Sequence, residues 1–147
     1  MDAREYLSQI LSIERRIIRL KHRLADIEAM KVSIKSPANM HAEPGGGSDR
    51  EERILTMIEK SDMYIRQILA EIDRLMDQKE QIAKEIDSLP DKRHSDVLYY
   101  RYVLCMKWED VAQAMNYNER WVKQLEVEAV ESFAATHFST KQHGTSC

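Results

Sequence analysis

Trp108–Leu125, WEDVAQAMNYNERWVKQL, has the spacing of two short helices joined by a tight turn. Two helices that cross steeply must nearly touch, so the crossing needs a small residue, and Ala112 stands there. The turn needs a residue that tolerates positive φ; Asn116 does so, though less readily than glycine. Val111, Met115, Tyr117, Val122 and Leu125 fall at the positions expected to point inward. Asn118 is placed to cap the second helix through its side-chain oxygen. The outward positions are then Asn118, Glu119, Arg120, Lys123 and Gln124, with Trp121 at the rim. In a helix-turn-helix these are the positions that meet base edges in a major groove. They are the expected DNA-binding residues.

Outward from this stretch the chain reads as helical throughout. It has 147 residues, only four glycines and three prolines, and 22 basic against 25 acidic residues. The composition predicts an all-α protein. Toward the N-terminus, Ala3, Tyr6, Ile10, Ile13, Ile17, Leu20, Leu24 and Ile27 alternate in steps of three and four, and the run continues as Lys31 and Ile34. A second run spans Ile54, Ile58, Ser61, Ile65, Ile68, Ile72, Leu75, Lys79, Ile82, Ile86 and Leu89, and Pro90 stops it. These heptads predict two long amphipathic helices with a coiled-coil seam. Between them residues 36–49, SPANMHAEPGGGSD, cannot continue a helix, because of Pro37, Pro44 and Gly45–Gly47. The expected architecture is a long antiparallel helical hairpin over residues 1–90. A three-helix domain over 91–133 and a flexible tail over 134–147 follow it.

Leu11, Ile18, Leu55, Leu69 and Met76 lie off the seam and predict further packing. Dimerisation through the hairpin is the expected solution. The basic cluster Arg15, Arg16, Arg19, Lys21 and Arg23 faces a second helix with eleven acidic and seven basic residues between Asp49 and Asp87. Pairing across the hairpin is its expected role. The third helix, residues 91–106, should be centred on Val97, Leu98, Tyr99, Tyr102 and Val103, with Cys105 at least half-buried. Trp108 is expected in the core.

Several function classes find no residues to carry them. His22, His41, His94, His137 and His143 are scattered, without metal-ligand spacing. The Gly45–Gly47 triplet lacks the Lys-Ser/Thr of a P-loop. No nucleophile–base or paired-carboxylate arrangement stands out, so neither an enzyme nor a cofactor is expected. Two cysteines, Cys105 and Cys147, build no disulfide framework. No apolar run approaches the roughly 20 residues that span a membrane. The charged start MDAREYLSQI has no signal-peptide pattern. A cytoplasmic setting is expected.

Leu98–Phe133, LYYRYVLCMKWEDVAQAMNYNERWVKQLEVEAVESF, resembles region 4 of bacterial sigma factors. The whole layout is similar to small phage-encoded transcriptional regulators of the RinA/ArpU type. The matching pieces are EYLSQI at residues 5–10, PGGGSD at 44–49, Leu89–Asp91, Arg101–Tyr102 and the run from Trp108 to Tyr117. The resemblance covers nearly the full chain. It implies a phage or prophage protein that controls transcription by binding promoter DNA, with Glu119, Arg120, Lys123 and Gln124 reading bases. The alternative is an interaction factor that docks on RNA polymerase or another regulator without reading DNA. Two departures stand out. The turn before Trp108 usually holds glycine and a capping Thr or Ser, but here Cys105 and Lys107 occupy it. The second helix usually gains basic residues toward its end, but here Glu126, Glu128 and Glu131 replace them. Residues 91–147 hold seven basic and eight acidic residues, without the basic footprint DNA binding favours.

Overall fold

Long apolar heptads with no internal helix breaker leave the backbone one economical way to satisfy its polar groups. The computed structural model, which describes residues 1–35 and 47–138, is all-α, with no strand among the described residues. Helix α1 spans Ala3–Lys35 and α2 spans Gly47–Asp87. Gly47, Ser48 and Asp49, expected in the loop, instead open α2, with Asp49 in the first turn where a carboxylate complements the helix dipole. Pro37, Pro44, Gly45 and Gly46 lie outside the described residues, as do His41, His143 and Cys147.

Three short helices follow. Helix α3 spans Lys92–Leu98, α4 spans Trp108–Met115 and α5 spans Glu119–Phe133. Asp91 caps α3 by accepting from the Arg93 N–H at 2.9 Å. The helix expected over 91–106 changes pitch within itself. From Tyr99 to Val103 it is a π-helix, closed by Leu104 N–H to the Tyr99 carbonyl at 3.0 Å. At the other end α5 runs on into a second π-helical segment, Ala134–Phe138, where the sequence pattern predicts a flexible tail.

The chain divides into two compact units, Met1–Glu14 with everything from Met76 onward, and Arg15–Leu75. In the first, α3 and α4 both pack on α5. Its core contains Leu7, Ile10, Ile86, Val97, Leu98, Val111, Val122, Leu125 and Phe133, all essentially without solvent contact. Pairings here match rising numbers on α1 with falling numbers on α2, as Tyr6 with Glu85 and Glu14 with Lys79. In the second unit the same pattern holds for Arg16 with Glu71 and Lys31 with Asp62. Its buried seam is Ile17, Leu20, Ile68, Ile72 and Leu75. Ser61 takes a seam position and satisfies its hydroxyl on the Met57 carbonyl at 2.8 Å.

Among the described residues, Arg16 is the one member of the basic cluster on α1 that finds a carboxylate, Glu71 at 3.2 Å. Arg15, Arg19, Lys21 and Arg23 form no ion pair among the described residues, contrary to the expected pairing. The off-seam residues Leu11, Ile18, Leu55, Leu69 and Met76 are all exposed.

The turn before α4 is built around a residue whose side chain resists its backbone. Cys105 sits at φ 54, in the left-handed region, and is exposed rather than half-buried. A Cβ there costs on the order of 1 kcal/mol. Arg101 holds the turn from both sides: its Nη1 donates to the Met106 carbonyl at 2.7 Å, and its guanidinium lies 4.2 Å over the Trp108 ring. Trp108 is therefore half-buried beneath a cation rather than enclosed in the core. Replacing Cys105 with glycine should raise the unfolding midpoint by about 2–4 °C, while valine should lower it. Thermal denaturation of the two variants checks this, and a glycine variant less stable than the parent would contradict it.

Candidate nucleic-acid interface

The α4–α5 junction is decided by local sterics. Asn116 adopts φ 61, ψ 40, the left-handed conformation that ends α4. The Tyr117 N–H donates back to the Ala112 carbonyl at 3.0 Å, closing the C-terminal turn. Asn118 is extended, and its Oδ1 accepts from the Trp121 N–H at 2.7 Å. Ala112 is buried, as are Val111, Val122 and Leu125 beside it.

Two expected inward residues behave differently. Met115 is only half-buried, and Tyr117 is exposed. The left-handed Asn116 turns the chain outward before α5 begins. The Tyr117 ring instead meets Trp121 edge to face at 6.4 Å between centroids. Arg93 lies nearby: its guanidinium is held above its ordinary range chiefly by a hydrogen bond to Asp91, with the Tyr117 hydroxyl adding to it. Tyr117 and Arg93 thus border the outer face of α5, although the sequence pattern places Tyr117 inward.

On α5 itself, Glu119, Arg120, Trp121, Lys123 and Gln124 are all exposed. Glu119, Arg120, Lys123, Gln124 and Val127 line one shallow concave strip. Val127, missed in the sequence, follows Arg120 by two helical turns and so shares its face. The strip offers a guanidinium, an ammonium, a carboxamide and one apolar methyl pair. The Lys123 Nζ lies 3.5 Å from Glu119 in an exposed pair one turn apart, a weak interaction that a phosphate readily replaces. Arg120 forms no ion pair among the described residues. One lone pair of the Asn118 oxygen is committed to its cap, and its amide nitrogen can donate to a ligand.

Glu126 is not a surface acid. It is 2% exposed, accepts from the Tyr102 hydroxyl at 2.7 Å and pairs with the Arg4 guanidinium from the start of α1. Burial, then the hydrogen bond to Glu126, pushes the Tyr102 phenol well above its usual range, so it stays protonated as the donor. Tyr102 is thus a polar node rather than a packing residue. Of the three glutamates on the second half of α5, Glu128 is half-buried and Glu131 alone is exposed. Two further cations of this domain are already engaged, Arg101 with Trp108 and Met106, and Arg93 with Asp91.

No group of three or more His, Cys, Asp or Glu side chains that could hold a metal ion occurs among the described residues. No helix among them is long and apolar enough to cross a membrane. No family model matches this chain, and no curated protein or solved structure matches it either.

Proposed function

We propose that this chain is a phage or prophage transcriptional regulator that binds double-stranded promoter DNA through a helix-turn-helix formed by α4 and α5. In this reading α1 and α2 form an antiparallel coiled-coil hairpin that makes the protein a cytoplasmic dimer. Helices α3, α4 and α5 form a sigma-region-4-like three-helix domain. The protein is not an enzyme and needs no cofactor. The observation that carries it is the open face of α5. Arg120, Lys123 and Gln124 are exposed on the second helix after a turn built on Ala112, Asn116 and Asn118. Arginine bidentate to guanine and glutamine to adenine are the pairings such a face makes in a major groove. Glu119 at the N-terminus of α5 can accept from a cytosine amino group, and Trp121 with Tyr117 supplies an aromatic rim.

Arg120→Ala with Lys123→Ala should weaken binding to a promoter fragment by about 10- to 100-fold. It should reduce the slope of log affinity against log salt by about one for each phosphate no longer neutralised. Fluorescence anisotropy across a salt series measures both, and unchanged affinity and slope would remove these residues from the interface.

The net charge of minus one over residues 91–147 favours a second reading, in which the domain docks on RNA polymerase or another regulator without reading DNA. Recovery of polymerase by the tagged protein, together with no salt-sensitive DNA binding, would select it.

A further inference from the structure

The unit Arg15–Leu75 presents one flank that a single copy leaves uncovered. Lys31 with Asp62 marks that flank, and Arg16 with Glu71 marks the opposite one. On α1, Ile18, Ala25 and Val32 each follow a seam residue by one position, and on α2 so do Leu55, Asp62 and Leu69. Each set repeats every heptad and therefore forms a column, and Asp62 places both columns on the Lys31 side. Ile18 is 52% exposed, Val32 69%, Leu55 56% and Leu69 45%. They leave roughly 400 Å² of mainly apolar surface on one copy, within the range of the largest patch of an ordinary monomer, which is often functional.

The charges beside the columns say what covers them. Lys21 and Glu28 adjoin the α1 column, and Arg66 and Asp73 adjoin the α2 column. None of the four has an ion pair among the described residues. The register fixed by Lys31 and Asp62 sets Asp73 level with Lys21, and Arg66 level with Glu28. The same register sets Leu69 level with the small Ala25.

We propose that a second copy of this chain covers this flank, with α1 of each copy lying antiparallel on α2 of the other. It rests on the dimeric hairpin reading above and specifies its face and pairing. A twofold axis along the stalk preserves height. It therefore brings Lys21 to Asp73 of the second copy, Glu28 to Arg66 of the second copy, and Ala25 beneath Leu69 of the second copy. All four charges that lack an ion pair among the described residues are matched at once. The alternative pairing, α1 on α1, would set the unpaired cations Arg15 and Lys21 of two copies along one another. The two apolar faces bury about 800 Å², and the charged rim must carry the total past about 1,000 Å², where a specific interface begins. The apolar columns supply the affinity, while the exposed ion pairs, each weak alone, select the partner helix.

Sedimentation equilibrium of the full chain tests this. The parent protein should be a dimer, and Leu69→Asp should weaken association at least about tenfold with helical circular dichroism unchanged. Lys21→Glu with Glu28→Lys should weaken it about tenfold, and adding Arg66→Glu with Asp73→Lys should restore it. A parent that stays monomeric at all concentrations overturns the dimeric hairpin itself. A dimeric parent insensitive to Leu69→Asp overturns this face alone, and one insensitive to the α1 charge reversal overturns the α1-on-α2 pairing.

Discussion

Glu126→Lys is expected to destabilise the unit containing α5 by about 3–5 kcal/mol, the cost of an unpaired cation where a buried carboxylate stood. The carboxylate is 2% exposed and serves two donors at once, the Tyr102 hydroxyl at 2.7 Å and the Arg4 guanidinium. Lysine removes the acceptor from Tyr102 and sets a second cation beside Arg4. Glutamine keeps an acceptor for Tyr102 but loses the charge, and should cost about 1–2 kcal/mol. Alanine should fall between the two. Folded proteins hold only about 5–15 kcal/mol in reserve, so the lysine variant should lose cooperative unfolding near ambient temperature. Thermal melts of the three variants give the ranking, and a lysine variant that melts with the parent would show that the Arg4–Tyr102–Glu126 network does not hold α5. The substitution bears on function as well. If α5 binds DNA as proposed, a basic residue at an outward position of this helix would add a phosphate contact. Here it strikes an inward-facing anchor, so the acid does not subtract from the surface charge available to a nucleic acid.

That anchor also marks where sequence reading stops. Ala112, Asn116 and Asn118 were legible because each answers a requirement set within a few residues: a close crossing, a positive φ and an unsatisfied N–H. The seam of α1 and α2 was legible because one side-chain column must be apolar for the helix to bury anything. Glu126 was not, since its partners stand on α1 and just after α3, and nothing near position 126 announces them. Cys105 was misread for a different reason: cysteine is common in cores and rare at positive φ, so composition pointed the wrong way. The left-handed turn is imposed by Arg101 gripping Met106 and Trp108. Leu7, which falls outside the three-four alternation, is fully buried, because the start of α1 lies in the unit that also holds α5. The outward face of α5 was legible residue by residue. Val127 and Tyr117 were not, because their place at its border depends on the turn.

Phe133→Ala should be comparably severe, about 3–5 kcal/mol, since it empties a fully buried ring site. The ring joins three elements. Tyr6 of α1 lies 5.9 Å from it between centroids, His137 4.6 Å and Phe138 6.3 Å. Tyr6 and His137 then converge on one residue of α2. The Tyr6 hydroxyl donates to the Glu85 carboxylate, and the His137 Nε2 approaches the Glu85 carbonyl at 3.0 Å. A carbonyl only accepts, so Nε2 must carry the proton in that contact. Truncating Phe133 should therefore loosen Ala134–Phe138 as well as lower the melting temperature. Hydrogen exchange should report faster exchange there than at Val122 or Leu125. Leucine at the same site keeps most of the volume and should cost no more than about half as much, with exchange in Ala134–Phe138 near the parent's. If alanine lowers stability while exchange in Ala134–Phe138 stays slow, the segment is held without Phe133, as through the contacts of His137 with Glu85 and Ser88, and the Phe133 ring only fills space. If both fall together, the end of α5 is fastened by packing first, and the histidine contact forms because Phe133 brings it into reach.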